Sequence, residues 1–521
     1  MELSLFNWFL SALPILLILG FMLILKWSGV KAGFIGWVFT VIISLLFFGA
    51  NLQLLIAAQI KAVFLSLDIL YLIWTALFLF RITEHAGMIT IFSSILSQIT
   101  DNKTLQALIL AWLFTSFLQG FSGYGVPVAI TAPLLVSLGF SPVTSVLMAS
   151  IGHGWSVTFG TMSTAYQVLI AVTNTAPEAM AQYAALLLGI SAVICGLLVA
   201  GIANDWKNSI KIFIFVMVVG IVLMVSQYVF ISLHLTIIAV SAACLIAMSI
   251  AYLIIQISNH RKHKSTTTSE KDTLNRNRAD LWLSTLPYVL LFGLTLAING
   301  FPIIQHFFNT IKVGVQFPVL TTTFGWTTPA ESSRVISLFG HPGALILYTC
   351  LICYWVYRKR KNLKKDSYKS MLLETAHGAF QPTLAIFVML GIATTMSHVG
   401  MNNILAKGMS QVFNAHFFPI ISPFIGALGS FITGSNNNSN VLFGLLQMQT
   451  AQLLNLSVPL ILAAQTAGAS LGSIIMPAKV MVGCSTVGLT GKENTVIGKL
   501  LIFGMIPILI VAMLTFFLSI G

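Results

Sequence analysis

A polar run between two apolar segments constrains the fold more than any other feature of this sequence. Residues 429–440 read Gly-Ser-Phe-Ile-Thr-Gly-Ser-Asn-Asn-Asn-Ser-Asn, and the apolar segments 417–432 and 441–455 flank them. A lipid bilayer offers the backbone no hydrogen-bond partners, so non-helical polar residues at membrane depth require surrounding protein or a water-filled cavity. Interrupted helices of this kind build the central binding sites of secondary transporters.

The amino-acid composition predicts a polytopic membrane protein. Hydrophobic residues make up 57% of the 521 residues and charged residues 7%, whereas soluble domains carry roughly 25% charged residues. The net charge of +13 comes from basic residues in short loops between apolar segments, which sets orientation in the bilayer and does not indicate a nucleic-acid partner. Walker A, H-E-x-x-H and paired acidic motifs are absent from the sequence, so neither an enzyme nor a cofactor or metal is predicted.

The apolar segments predict an all-α protein with about twelve transmembrane helices and two re-entrant hairpins, because a membrane helix needs about 20 apolar residues. The hairpins, 104–140 and 417–455, are each interrupted by a polar, glycine-rich tip. The segments that precede them, 86–101 and 402–415, are interpreted as interfacial helices. The predicted spans are 7–26, 32–50, 59–82, 142–170, 181–203, 210–230, 234–257, 281–300, 342–357, 371–398, 458–490 and 496–519.

Two basic loops, 258–280 and 358–370, predict the orientation of the chain. Loops rich in Lys and Arg stay on the cytoplasmic side, so both termini are expected outside. Hairpin 104–140 then enters from the cytoplasm, and hairpin 417–455 enters from outside. Residues 301–340, which carry little net charge, become an external loop.

The two halves of the sequence match each other in opposite orientation. Each has three spans, a hairpin and two further spans, and after each hairpin a helix starts at a proline, Pro142 or Pro459. We therefore expect a first inverted repeat at 1–203, central linking helices with a basic loop at 204–280, and a second repeat at 281–521. Inverted repeats with interrupted helices in corresponding places point to a binding site near the middle of the bilayer.

The hairpin tips and the helix breaks supply the candidate substrate-binding residues. Glycines let the backbone approach a ligand closely, and a helix that begins after a tip directs its N–H groups at the cavity, a favourable place for a carboxylate. Small-residue packing between helices explains single glycines, but it does not explain two dense polar tips at matched positions. The candidates are Gln119, Ser122, Gly123, Tyr124, Gly125, Ser156, Thr158, Thr433, Gly434, Ser435, Asn436, Asn437, Asn438, Ser439, Ser470, Ser473 and Lys479.

Ionisable residues within the predicted spans are functional candidates, because a charge at the bilayer centre costs roughly 2.5–3.5 kcal/mol on insertion scales. Lys479 either pairs with a substrate carboxylate or snorkels to the interface. Arg81 and Glu84 are one helical turn apart and are expected to form a structural ion pair. His153 is the first candidate for proton coupling, since it lies at a helix break and titrates near physiological pH. The other coupling candidates are Glu374, His377 and Asp68.

Two motifs resemble those of bacterial lactate/glycolate permeases. The run Gly-Phe-Ser-Gly-Tyr-Gly-Val-Pro-Val-Ala-Ile at 120–130 is similar to the family's G-x-x-G-[FY]-G-x-P-V-A-I signature, and 434–447 with 487–493 resembles its second-half pattern. The resemblance covers nearly the whole chain. It implies the ion-transporter superfamily fold in the bacterial cytoplasmic (inner) membrane, and uptake of L-lactate, glycolate or a similar 2-hydroxy-monocarboxylate with protons. It also suggests an elevator-like motion and a homodimer.

Two positions depart from that family's pattern. The family has an acidic residue where this chain has Gln119, and an aspartate where it has Asn436. Amides cannot carry a transported proton, so a sodium-coupled carrier of carboxylates or other small organic anions is the alternative. An integral-membrane enzyme or a passive anion channel is the alternative of a different class, in which the polar tips would line an active site or a pore.

Overall fold

The computed structural model of this protein describes residues 3–25, 27–123, 125–204, 210–260, 269–364 and 367–520, and most of them are helical. A π-helix, Leu108–Phe114, joins α5 to α6, and a 3-10 helix, Gly154–Ser156, follows α8. The α-helices are α1 (Leu5–Leu23), α2 (Gly29–Phe47), α3 (Leu52–His85), α4 (Met88–Ser97), α5 (Lys103–Ala107), α6 (Thr115–Gln119), α7 (Val126–Ser137), α8 (Pro142–His153), α9 (Gly160–Thr173), α10 (Pro177–Ala203), α11 (Ile210–Ser232), α12 (Ala239–His260), α13 (Ser269–Gly300), α14 (Pro302–Phe308), α15 (Pro342–Lys359), α16 (Ser367–His398), α17 (Met401–Val412), α18 (Phe418–Thr433), α19 (Asn436–Leu453), α20 (Val458–Gly472), α21 (Pro477–Thr486) and α22 (Glu493–Ile520).

The all-α, multi-pass fold class is confirmed, with fewer long spans than predicted. Within the described ranges, nine helical segments are long and apolar enough to cross a membrane, or ten if the bent pair Trp282–Ile298 and Pro302–Phe308 is one span. The predicted span 142–170 is not continuous, because α8 ends at His153 and the backbone at 161–163, near the start of α9, is non-helical. The predicted span 342–357 forms α15, whose last turn carries Arg358 and Lys359. These two segments account for the difference between ten spans and the predicted twelve.

Both predicted hairpins consist of two helical arms. In the first, the arms are the continuous helical segment from α5 to α6 and the 12-residue α7; in the second they are α18 and α19, of 16 and 18 residues. The predicted interfacial helices are α4 and α17, and each begins after a glycine in the left-handed region, Gly87 (φ 73°) or Gly400 (φ 79°). The order from α3 to α10 therefore matches the order from α16 to α22.

Close backbone contacts hold each hairpin against the broken helix that follows it. A Cβ atom added at Gly468 of α20 would lie 1.9 Å from the carbonyl oxygen of Pro423 in α18. In the first half, a Cβ atom at Gly152 of α8 would lie 2.0 Å from the carbonyl oxygen of Ala111. Only glycine fits such contacts without a backbone shift, and small residues let membrane helices approach closely. Across the halves, α3 packs along α16, and α10 packs against α20.

Residues 312–337 form one antiparallel β-hairpin with three short strand pairs. The registers Val313↔Ile336 and Gln316↔Ser332 differ by one residue, so the returning strand contains a bulge between the pairs. The strands are β1 (Lys312–Val313), β2 (Gln316–Phe317), β3 (Leu320–Thr321), β4 (Thr327–Thr328), β5 (Glu331–Ser332) and β6 (Ile336–Ser337).

Ionic contacts fasten this β-hairpin to α3 and α16. The Asp68 carboxylate lies 3.1 Å from Arg334 Nε and 3.1 Å from His341 Nε2. Glu331 pairs with Lys61 and lies 3.6 Å from His398 Nε2. The predicted external loop is therefore a folded cap that joins the first half of α3 to the end of α16.

The orientation prediction is testable by cysteine labelling at one position in the β-hairpin and one position in the first basic loop. In a cysteine-free background, Val319→Cys, which is 58% exposed at the β-hairpin, should react with an impermeant maleimide in intact cells. Ser265→Cys should react only after permeabilisation, since basic loops stay in the cytoplasm. Labelling of position 265 from outside would refute the orientation and the inverted-repeat argument.

Candidate functional site

The two hairpin tips and the two helix breaks meet around one cavity, here called the central cavity. These four segments occupy corresponding positions in the two halves of the sequence, and the structure brings them together. The tips contribute glycines, amides and one serine, and the breaks with the residues just after them contribute two threonines, two apolar residues and one lysine. The residues that line the central cavity are Gln119, Gly123, Val157, Thr161, Thr164, Gly434, Ser435, Asn436, Asn437, Met476 and Lys479.

The second hairpin tip directs the start of a helix at this cavity. Gly434 ends α18 in the left-handed region (φ 72°), Ser435 is extended, and α19 begins at Asn436. The first helical hydrogen bond runs from Ser439 N to Ser435 O, so the preceding backbone N–H groups have no partner within the helix. Because Asn436 and Asn437 line the cavity, the positive end of the α19 dipole faces it.

The first helix break contains a left-handed turn made without glycine. The φ values of Thr161, Met162 and Ser163 are 48°, 55° and 64°. This left-handed region costs a residue other than glycine roughly 1–2 kcal/mol. The turn is held against the first hairpin tip, since Met162 N donates to Gly120 O at 2.9 Å and Gln119 Nε2 donates to Thr161 Oγ1 at 3.3 Å. Strained backbone of this kind concentrates at functional sites.

One hydroxyl joins the two broken helices where they cross. Ser470 Oγ donates to Gly154 O at 2.8 Å and accepts from the backbone N–H groups of Val157 and Thr158 at 3.1 and 3.2 Å. Thr158 Oγ1 in turn donates to Thr466 O at 2.9 Å. The backbone groups freed by the break in the first half are thus satisfied by α20 of the second half.

Lys479 is a buried ionisable residue of the central cavity and does not snorkel. It is 4% exposed, and its Nζ lies 3.2 Å from Ser473 Oγ and 3.3 Å from His153 Nε2. His153 Nδ1 lies 2.7 Å from the carbonyl oxygen of Ala149. Because a carbonyl only accepts, Nδ1 carries the ring proton, and Nε2 is free to accept from the lysine. His153, which does not itself line the cavity, therefore holds the Lys479 side chain in position through this hydrogen bond.

Other predicted substrate-binding residues lie beside the cavity and bond to backbone. Ser122 donates to Leu118 O and Ser156 donates to His153 O, while Gly125 lies against α21. Tyr124 lies outside the described residues. Predicted residues whose side chains support the tips and breaks instead of lining the cavity are Thr158, Thr433, Ser439, Ser470 and Ser473.

The remaining coupling candidates do not line the cavity. Asp68 lies under the β-hairpin with Arg334 and His341. Glu374 lies 3.0 Å from His85 Nε2, and His377 is exposed. The predicted ion pair between Arg81 and Glu84 is confirmed.

Four lining residues were not among the candidates: Val157, Thr161, Thr164 and Met476. The two threonines lie in the polar stretch that follows His153, and that stretch was the available signal. The left-handed turn could not be predicted from the sequence, because glycine is the residue that usually marks such a turn and this turn contains none. Val157 and Met476 are apolar residues in an apolar chain, so no sequence pattern distinguishes them.

A second cavity lies on the opposite side of the second hairpin tip. Gly434 and Ser435 line both cavities, and Asn438 lines the second one alone. The hairpin tip at Gly434 and Ser435 therefore separates the central cavity from the second cavity. The residues that line the second cavity are Ser28, Gly29, Val30, Gln381, Pro382, Ala385, Ile386, Thr433, Gly434, Ser435 and Asn438.

Comparisons with known proteins show similarity to membrane transporters. A family profile described as L-lactate permease matches residues 7–520. The L-lactate permease of Bacillus subtilis (strain 168) is 26% identical over 547 residues, which cover 98% of this chain and 96% of that protein. Glycolate permease GlcA of Escherichia coli (strain K12) is 26% identical over 512 residues, or 93% and 90% of the two chains.

A solved structure shows a similar fold. The structure of MtrF from Neisseria gonorrhoeae, described as illuminating a class of antimetabolite efflux pumps, has a TM-score of 0.51 to this chain, with 96% of each chain covered and 15% sequence identity. At that identity the likeness concerns the fold alone. The curated relatives are permeases and not enzymes.

Replacement of Asn437 by Leu tests the second tip directly. Asn437 lines the cavity, and an unfilled polar partner costs about 1–3 kcal/mol, so affinity should fall roughly 5–150-fold. We expect transport by reconstituted protein to be lost while expression and thermal stability are retained. Gln452→Leu is the matched control, because this residue is exposed on the same helix. Normal transport by Asn437→Leu, and by single replacements of Ser435 and Asn436, would refute the site.

Proposed function

This chain belongs to the L-lactate permease family, and from that premise we propose that it imports L-lactate, glycolate or a related 2-hydroxy-monocarboxylate with protons. It is a multi-pass protein of the cytoplasmic membrane. The observation that carries the proposed substrate is the chemistry of the central cavity. A buried ammonium group and a helix N-terminus suit a carboxylate, and an unpartnered amide oxygen suits a hydroxyl beside it.

The carboxylate part of the proposal rests on two positive features of the cavity. Lys479 Nζ uses two of its three donors on Ser473 and His153, which leaves one for a substrate oxygen. The start of α19, at Asn436 and Asn437, presents backbone N–H groups to the same space. A charge-assisted hydrogen bond together with a helix N-terminus is a favourable environment for a small anion.

The hydroxyl part of the proposal rests on the orientation of one amide. The hydroxyl group of Thr158 donates its hydrogen bond to Thr466 O, at 2.9 Å. Thr158 Oγ1 therefore acts as the acceptor in its contact with Asn436, which is 3.1 Å away. The Asn436 NH₂ group must therefore face Thr158, and its Oδ1 is the free end. That oxygen is buried without a partner among the described residues. A 2-hydroxyl group of the substrate would donate to it.

The transport mechanism we propose is alternating access around this site. In the proposed division into inverted repeats, 1–203 and 281–521, with linking helices at 204–280, each repeat contains one hairpin and one broken helix. With the proposed orientation, the second cavity begins at the cytoplasmic end of α2, where Ser28 and Gly29 line it. The tip at Gly434 and Ser435 would then be the barrier that a substrate passes on its way to the cytoplasm.

A sodium-coupled carrier is the second candidate. Gln119 Oε1 and Asn436 Oδ1 both lack a partner among the described residues and belong to residues that line the cavity. Neutral oxygens are suitable ligands for a hard cation. The positive charge of Lys479 in the same cavity opposes a bound cation, so we place this candidate second.

Counterflow in proteoliposomes tests the proposed function. Vesicles loaded with unlabelled L-lactate should transiently concentrate labelled L-lactate, because a carrier exchanges substrate without net flux. A passive channel would only equilibrate the label. Absence of counterflow with both L-lactate and glycolate would contradict the proposal.

Selectivity for the hydroxyl group should depend on Asn436. In the parent protein, L-lactate should compete at least about tenfold better than propionate, since a buried acceptor without its donor costs about 1–3 kcal/mol. In Asn436→Ala, L-lactate should lose this advantage while propionate changes little. The affinities for L-lactate and propionate are measured from the concentration of each that inhibits counterflow of labelled L-lactate.

Asn440→Ala is the control for selectivity. Asn440 lies one turn further along α19 and bonds to Ala165 O and Thr466 Oγ1, away from the residues that line the cavity. Its replacement should leave the ratio of L-lactate to propionate unchanged even if the rate falls. An unchanged ratio in a transporting Asn436→Ala variant would show that another group binds the hydroxyl.

A further inference from the structure

The central cavity contains an ionisable side chain that no carboxylate neutralises. Among the described residues that line it, Lys479 is the only ionisable one. None of the ion pairs formed within the described part of the chain includes Lys479. A buried charge is normally paired, because removing it from water is costly. The missing counter-charge is therefore a property of the site that requires an explanation.

The groups around Lys479 leave its charge uncompensated. Its helix, α21, packs against α7, α8 and α22. The α7 sequence has no ionisable residue, and α8 contributes His153. On α22, Glu493 accepts from Gly491 N at the helix start and Lys499 is exposed. Within the described ranges, His153 is thus the titratable group that faces Lys479.

We propose that Lys479 carries the co-transported proton, an inference that rests on the proposed import of a monocarboxylate anion. On the outer side, the neutral amine takes a proton from water, and the resulting ammonium group binds the substrate carboxylate. The site then crosses the barrier as a neutral pair. On the inner side the anion leaves, and the ammonium group, again without a counter-charge, releases its proton to water.

This cycle couples one proton to each anion without a carboxylic acid. The loaded site and the empty site are both neutral when they move, whereas a lone ammonium group or a lone anion would have to cross an apolar barrier as a charge. The amides of Gln119 and Asn436 need not protonate. His153 is less suited to the role, because it does not line the cavity and its Nε2 faces Lys479 at 3.3 Å.

Lys479→Arg tests the proton carrier, because a guanidinium group keeps its charge at every pH of the assay. The fixed charge can still pair with the carboxylate, so some counterflow of labelled L-lactate should remain measurable, at a reduced rate because the larger side chain alters the binding site. Net uptake driven by an inward proton gradient should fall to background. Lys492→Arg, on an exposed residue, is the matched control and should retain both activities. Proton-driven accumulation by Lys479→Arg would overturn the inference.

His153→Gln distinguishes the two neighbouring groups. Glutamine keeps an acceptor for Lys479 but cannot titrate, so this variant should still accumulate L-lactate in response to a proton gradient. Loss of accumulation with retained counterflow, together with normal accumulation by Lys479→Arg, would assign the proton to His153 instead.

Proton uptake on binding gives a measurement that needs no variant. Calorimetric titration of the parent protein with L-lactate, in buffers of different ionisation enthalpy, should show uptake that approaches one proton per substrate as the pH becomes alkaline. Binding without proton uptake at any pH would overturn this inference and leave the proposed function standing. Absence of both binding and counterflow with L-lactate and glycolate would remove the two together.

Discussion

The hydrogen bonds of Ser470 to the broken helix of the other half are the interaction on which the site depends. A break in a membrane helix exposes backbone groups that lipid cannot satisfy. Ser470 Oγ donates to Gly154 O and accepts from two consecutive backbone N–H groups, including that of Thr158. The second half thus supplies the partners that the broken helix of the first half lacks, and the polar crossing this creates is where a small polar substrate can be bound.

The same crossing fixes the chemistry of the cavity. Thr158 accepts from the amide of Asn436, which leaves Oδ1 as the free end. His153, at the end of α8, accepts from Lys479 on α21. One half therefore orients the acceptor and the cation that belong to the other half. An anion with a hydroxyl beside its carboxylate matches both groups, and the uncompensated ammonium links anion binding to proton binding.

Much of this architecture could be predicted from the sequence, because the bilayer makes apolar length and polar interruptions informative. The hairpins, the interfacial helices and the tip residues from Gly434 to Asn437 follow from that constraint. The left-handed turn at 161–163 could not be predicted, since nothing in its composition marks it. The positions of Asp68 and Glu374 depend on tertiary partners, Arg334 and His85, that are distant in sequence. Asp68 and Glu374 were predicted to take part in proton coupling only because they are ionisable residues within predicted membrane spans.

In the proposed mechanism, a monocarboxylate anion and a proton cross together through a cavity that contains a buried lysine. The decisive measurement is uptake of labelled L-lactate into proteoliposomes under an imposed proton gradient or an imposed sodium gradient. We expect transient accumulation with an inward proton gradient, its loss with an uncoupler, and no accumulation with sodium alone. Accumulation that requires sodium and is indifferent to the proton gradient would refute this mechanism.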